Sequence, residues 1–383
     1  MDFRLTEEQR MLRDTVERLA AQRHGFDVRR AAIARSGGFH RPFWLELGQL
    51  GVLGATLPET AGGLNAGPVA AMLIMSALGK HLVNSPYVPT VICAAALLAR
   101  EASELQRSRY LPAMLEGESI VAFACAESGD SGELTGIATT ATRSQEGYSI
   151  SGSKSMVVGA PWSDHVMVVC RMASPESGIG AFILPIDSAG IQASYGRTID
   201  GGAASEMHFN QVRVPTDARI GERDLRPAIE RILDEATAAL CADAVGSMSA
   251  LLAATTEYAR TRKQFGKPIS SFQALQHRMV DMLLACEQAD SITHLAALKL
   301  DADPVESQLA VSAAKALVGK TGRMVAQAAV QIHGGIGITE ELAASHHFRR
   351  IEMFNLQYGT IDRHTRRYAE LLDACAQQEL AAT

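Results

Sequence analysis

Cysteine is scarce and scattered. The 383-residue chain has six, Cys93, Cys125, Cys170, Cys241, Cys286 and Cys375, with no C-x-x-C pair and no histidine at metal-ligand spacing. This leaves no disulfide framework and no zinc site to read, and no metal is expected. The thiols read as small buried hydrophobes of a reducing compartment. Positive charge is also short. Lys and Arg number 36 against 42 Asp and Glu, a formal net charge of −6. That excludes a basic face able to neutralise a nucleic-acid backbone, but not a local groove for a phosphorylated cofactor. No apolar run reaches the roughly 20 residues of a membrane span. The opening MDFRLTEEQR lacks the apolar core and cleavage site of a secretory signal. A soluble, cytoplasmic protein is expected. Hydrophobic residues at 47% and charged residues at 20% are ordinary for a globular chain, and the length allows two or three domains.

What is present changes character twice. In Glu7 to Ala21 the apolar residues Met11, Leu12, Val16, Leu19 and Ala20 recur at helical spacing. A second helix is expected over Arg41 to Leu50, stopped by Gly51. The glycine-rich loop LPETAGGLNAG then leads into an apolar helix from Pro68 to about Leu78. From about Ser119 to Ile220 the segments VAFACAE, YSISGSKSMVV, HVMVVCRM, GIGAFILPI, IQASYG and SEMHFNQVRV are short, β-branched and separated by turns. Their short links favour antiparallel pairing. From about Asp224 long helical segments follow, Arg226 to Arg260, Ser271 to Asp301, Pro304 to His333 and Ile361 to Gln378, which suggests an antiparallel bundle packing on other subunits. The expected fold class is α+β, with an N-terminal helical domain (1–120), a middle antiparallel β domain (121–222) and a C-terminal four-helix bundle (223–383).

Three motifs lie around that β insert. ARTRKQFGKPISSFQALQHRMVDM (259–282) resembles the R-x-x-F-G-x-x-I-x-x-x-Q signature of the acyl-CoA dehydrogenase family. QIHGGIGITEE (331–341) resembles its Q-x-x-G-G-x-G turn, and ELGQLGVLGATLPETAGGLNAG its entry segment. The likeness covers essentially the whole chain. Within the family, DEATAALCADAVGSM is similar to small subunits of the pimeloyl-CoA dehydrogenase type. The resemblance implies an FAD enzyme that desaturates an acyl-CoA thioester and passes electrons to an electron-transfer flavoprotein, assembled as a dimer or dimer of dimers. It implies that Arg262, Gln264, Phe265, Gln273 and Gln331 through Gly335, Gly334 among them, form the ADP-side half of a flavin site shared with a neighbouring subunit, that Thr360 also binds the cofactor, and that Asp234 and Glu127 lie on the substrate side. The residues suit that role. Arginine is a forked phosphate donor, Phe265 can cover an adenine, and paired glycines let backbone N–H groups approach a pyrophosphate. The same glycines also read as a helix C-cap, and Arg262 as a surface ion pair.

The departures are as specific as the matches. The family's catalytic carboxylate precedes the G-T of a segment that here reads LQYGTIDRH, placing Tyr358 at the base position. A phenol titrates near 10 in water, so Tyr358 is assigned to the acyl pocket and not to proton abstraction. Some relatives carry the glutamate on the first long C-terminal helix, at the position of Ala236. Glu235 is its neighbour, about 100° away around the helix. Asp234 and Glu235 also read as a solvated face or an ion pair. The stretch that contacts flavin and substrate is AESGDSGE (126–133), with Ala126 in place of threonine. The family's W-I-T is here Met156-Val157-Val158, and Trp162 is not a substitute. Arg349, Arg350, Arg363 and His364 are the basic candidates for the far end of a dicarboxylate, though none stands out and most also read as helix-surface residues. Three readings stay open: a non-catalytic partner of a sister dehydrogenase subunit, a self-sufficient enzyme using Glu235, and an acyl-CoA binder without redox chemistry.

Overall fold

The computed structural model describes residues 4–129, 134–174 and 176–382. Helix α1 (Glu7–Arg23) opens on a reciprocal cap: Thr6 Oγ1 accepts the Gln9 N–H and the Gln9 side chain accepts the Thr6 N–H. Next come α2 (Phe26–Ser36), α3 (Arg41–Gln49) and α4 (Gly67–Lys80). Residues Tyr87–Ala95 then wind as a wholly buried π-helix that continues into α5 (Ala96–Glu101), followed by α6 (Glu104–Leu115). Helices α2, α5 and α6 and the π-segment are not anticipated by the sequence pattern. In α2 the cause is visible: it buries Arg29, whose guanidinium reaches Leu82 O, so its inner face does not read as apolar.

By compactness the chain divides into two units, Met1–Arg29, Pro68–Val83 and Thr237–Thr383 in one, Arg30–Gly67 and Asn84–Ala236 in the other. The second unit is built on an eight-stranded sheet, β1 (Val121–Ala124), β2 (Thr140–Ser144), β3 (Gly147–Val158), β4 (His165–Met172), β5 (Ile179–Pro185), β6 (Ile191–Arg197), β7 (Ala203–Val214) and β8 (Arg219–Ile220). The order is β6-β7-β3-β2-β4-β5-β8, with β1 on β4. Most ladders are antiparallel, as the short links require. Two are parallel: β1 on β4 from Val121↔His165 to Ala124↔Val168, and β2 on β4 at Thr140↔Arg171. The segment joining β1 to β4 contains the β2–β3 hairpin and, among the described residues, no crossover helix, so short links between consecutive strands did not reveal this pairing. Tyr148, Ile150, Val168, Phe182, Met207 and Phe209 form the sheet's core. Thr90 of the π-segment fastens β1, donating to Val121 O (3.0 Å) and accepting the Val121 N–H (3.3 Å).

The other unit holds α1, α4, most of α7 (Arg226–Thr261), then β9 (Lys263–Gln264), β10 (Lys267–Pro268), α8 (Gln273–Lys299), α9 (Pro304–His333), α10 (Ala343–Phe354) and α11 (Ile361–Ala382). Helix α9 has the limits read from the sequence. Helix α10 was not read, because it buries His346 and His347 beside Ile351 and Phe354. Asp243 of α7 takes a fork of two 2.8 Å bonds from Arg350 of α10. Helix α7 is long and apolar enough to cross a membrane, contrary to the reading that no segment is, but 78% of its most apolar window is buried inside the fold. Of the six free cysteines, Cys93, Cys170, Cys241 and Cys286 are buried, and burial pushes the last three thiols up to about 12.

Candidate active site

The residues expected on the ADP side all lie in one unit. After Arg262, β9 and β10 form a short hairpin, Lys267 opposite Gln264. Its two-residue turn has Phe265 at φ 52° and Gly266 at φ 80°. Positive φ at both turn positions normally selects Asn-Gly. A phenylalanine there is strained, and the residue is 90% exposed, its ring edge-on to Phe272 with centroids 6.0 Å apart. Arg262 is exposed, and among the described residues its guanidinium has no partner, so the surface ion pair is absent. Gln264, Gln273 and Gln331 are also exposed. At the end of α9, Gly334 caps the helix at φ 66°, ψ −145°, its N–H on Val330 O. Gly335 differs in lacking a positive φ, and there, as at Gly334, a Cβ would meet nothing within 4 Å. Neither the backbone nor the packing of this chain demands glycine at 335. The root of the hairpin is tied to this turn. Tyr258 stacks on His333 at 4.6 Å and its hydroxyl donates to His333 O.

The loop at the usual base position is braced from beneath. Tyr358 is half-buried at φ 51° and Gly359 follows at φ 101°. His364 Nε2–H donates to Tyr358 O at 2.9 Å. Lys315, wholly buried, donates to Phe354 O and to Gln357 O (2.8 Å), with its ammonium 3.6 Å from the Phe354 ring centroid. Burial lowers Lys315 to about 7 and, against the bond to Tyr358 O, holds His364 at about 3. Thr360 Oγ1 accepts the Arg363 N–H and so caps α11. Arg349 forks onto Glu340 and Arg350 onto Asp243. Those two arginines and the neutral His364 are therefore committed within the fold and do not await a dicarboxylate.

In the sheet unit, Glu127 is a brace. One oxygen takes Lys154 Nζ (2.8 Å) and the Thr139 N–H, the other the Ala138 N–H. Lys154 is buried and also donates to Cys125 O. Burial raises the Glu127 pKa, but the bonds from Lys154 and Thr139 outweigh it and the net shift is downward. Residues 130–133 of AESGDSGE lie outside the described residues. The β3–β7 register slips between Lys154 and Val157. At that bulge Met156 adopts φ 51°, 38% exposed, its N–H on Glu206 Oε1 at 3.3 Å. A bulge turns a side chain out of the pleat. Val157 is buried and Val158 half-buried. Trp162 is stacked on Phe39. Sequence reasoning missed Glu206, whose link to Met156 depends on strand register.

On α7, Glu235 Oε1 accepts Arg100 Nη2 at 2.8 Å and Arg231 Nε at 3.0 Å. Asp234 is buried, and Ala236 is wholly buried. The ion pair is thus the environment of Glu235.

Residues 6–118, 122–212 and 226–372 match the N-terminal, middle and C-terminal domains of acyl-CoA dehydrogenase. Benzylmalonyl-CoA dehydrogenase of Aromatoleum aromaticum is 30% identical over 371 residues, 94% of this chain and 96% of that one. The chain belongs to the acyl-CoA dehydrogenase family. The caffeyl-CoA reductase-Etf complex subunit CarC of Acetobacterium woodii is 28% identical over 340 residues, 86% of this chain and 88% of its own. Among solved structures, the ChsE4-ChsE5 complex from Mycobacterium tuberculosis matches with a TM-score of 0.88 and 27% identity over 97% of this chain and 99% of that one.

As in other acyl-CoA dehydrogenases, the cofactor is FAD. The ADP side fits it: an unpartnered Arg262, a bare Phe265 ring and open space over Gly335. On the ring side the fit is poorer. Met156 offers an exposed thioether surface, but Val158 has no donor where the family keeps a hydroxyl.

Proposed function

We propose that this chain is one subunit of an FAD-dependent acyl-CoA dehydrogenase complex and lends the ADP-binding half of the flavin site to a sister subunit that carries the base. The observation that carries this reading is the pairing of an intact, outward-facing ADP side with a base position filled by Tyr358. In the complex, FAD supplies the hydride acceptor for desaturation of an acyl-CoA. Arg262 binds a pyrophosphate oxygen as a fork, Phe265 covers the adenine, and the Gly334-Gly335 backbone closes on the phosphates. Gln264, Gln273 and Gln331 line the same site, and Thr360 keeps its capping role. The solved ChsE4-ChsE5 complex, named for two subunits, supports a mixed assembly. The apolar residues Val280, Leu283 and Leu284 exposed on α8, with Ile336 and Ile338 beyond α9, support packing against other chains as a dimer or dimer of dimers. An electron-transfer flavoprotein is the proposed acceptor, by analogy with the relative named as part of an Etf complex, and the cytoplasm the proposed compartment. The self-sufficient reading weakens because Glu235 is held by two guanidiniums. Anaerobic titration with acyl-CoA tests the proposal. Flavin bleaching is expected in the mixed complex and not in this chain alone, and bleaching by this chain alone overturns it.

A further inference from the structure

The ADP side is assembled from two distant pieces of chain, the arm that follows α7 and the turn Gly334–Ile338 that follows α9. A site built from separate elements keeps its geometry only where packing locks the parts to within about 0.5 Å. Here an aromatic clamp joins them. Tyr258 of α7 stacks on His333, the last residue of α9, with centroids 4.6 Å apart and planes 27° from parallel, and its hydroxyl donates to His333 O at 3.3 Å. The imidazole is fixed in turn: His333 is buried, and its Nδ1–H donates to Ala329 O at 2.9 Å. The turn lies tight against it, since a Cβ at Gly337 would stand 2.9 Å from His333 Cβ. On the other side, Arg262 is four residues beyond Tyr258, and its N–H makes the helical bond to Tyr258 O at 2.8 Å. Both side chains therefore leave one face of the helix. Arg262 O accepts the Ile269 N–H at 2.9 Å, which closes the base of the arm. Arg262 and Gly334 are thus connected through the two rings.

We propose that Tyr258 and His333 are positioning residues for the flavin's pyrophosphate: their stack holds Arg262 against the Gly334-Gly335 backbone so that both reach the same phosphates. The inference rests on the reading that this arm and turn hold the ADP of FAD, and it deepens that reading by naming what keeps the two pieces in register. The Tyr258 hydroxyl and the His333 Nδ1–H are both spent within the fold, so the pair acts through Arg262 and the turn and not by its own bonds to the cofactor.

The test is a double-mutant cycle on the FAD dissociation constant, titrated by flavin fluorescence into the apo form of whichever assembly holds the flavin, the mixed complex or this chain alone. Arg262→Ala is expected to weaken FAD at least about tenfold, the loss of a charge-assisted bond. Tyr258→Leu is expected to weaken it about tenfold in the parent but less than about twofold beside Arg262→Ala, because the guanidinium it positions is gone. His333→Leu, which breaks the stack from α9 and leaves α7 intact, should repeat that pattern. Tyr258→Phe, which keeps the stack and loses only the hydroxyl's bond, should stay within about threefold. A merely structural role predicts equal losses on both backgrounds, following the fall in apo melting temperature. Equal losses, no loss in either leucine variant, or Tyr258→Phe binding as weakly as Tyr258→Leu overturns the proposal. Where Tyr258→Leu does not fold, His333→Leu and Tyr258→Phe carry the same criteria. If Arg262→Ala leaves FAD affinity unchanged, the ADP-side reading itself fails. If Arg262→Ala weakens FAD and the clamp variants do not couple to it, only the clamp fails.

Discussion

At the scale of single residues, charge is used here mainly to hold the fold. Lys154 and Glu127 form a buried pair, with side-chain exposures of 0% and 10%. Removing one partner of such a pair leaves an uncompensated charge, at a cost of about 3–5 kcal/mol. Glu127→Gln should therefore lower the melting temperature sharply in calorimetry, and a change of less than about 1 kcal/mol would show that Glu127 is held in place by its backbone donors alone. Glu235 is the opposite case. Its partners Arg100 and Arg231 are substantially exposed, and such pairs contribute about 0–1 kcal/mol. Glu235→Gln should cost little stability and less than tenfold in turnover by the complex. A general base contributes about 10² to 10⁴-fold, so a loss in that range in steady-state kinetics would return Glu235 to the role of base.

At the scale of elements, the loop Phe354–Thr360 is held by buried Lys315 and His364, and the buried imidazole gives the fold an acid dependence. His364 stands at about 3, and so does His347, which is buried beside Arg29 and Arg350 and bonded to Ser247 Oγ. In the unfolded chain both imidazoles take up a proton near 6.5, whereas in the fold they stay neutral until about 3. The unfolded state therefore binds more protons across that window. The histidines' share of the stability is full above pH 6.5 and declines as pH falls toward 3, by up to about 1.4 kcal/mol per pH unit for each histidine. Urea unfolding at stepped pH should show this slope, and His364→Gln should remove one proton's share of it. A slope unchanged in the variant would mean that His364 does not titrate as its burial requires. Elements of this kind also mark what the sequence could and could not reveal. Helix α1 was legible through the helical spacing of its apolar residues Met11 to Ala20, α9 as a long helical segment, and the ADP arm because its motif is local. Helices α2 and α10 were not, because their inner faces carry Arg29, His346 and His347. Nor was the environment of Glu235, because its partner Arg100 lies 135 positions away.

At the scale of the whole molecule, the account makes this chain half of a site. Its ADP side offers charge-assisted bonds worth about 1.5–3 kcal/mol each and an aromatic ring held bare in a strained turn. Its sheet unit offers Met156 and Val158 where the family keeps a large aromatic and a hydroxyl. In an assembly of identical chains every flavin site pairs a sound half with an impaired one. In a mixed assembly half of the sites pair two sound halves. The direct measurement is flavin absorbance per chain, on this chain purified alone and on the complex with its sister. The account predicts little or no FAD on the chain alone, one FAD per pair of unlike chains, and release of that FAD by Arg262→Ala in this chain. One tightly bound FAD per chain in the homo-oligomer would contradict it.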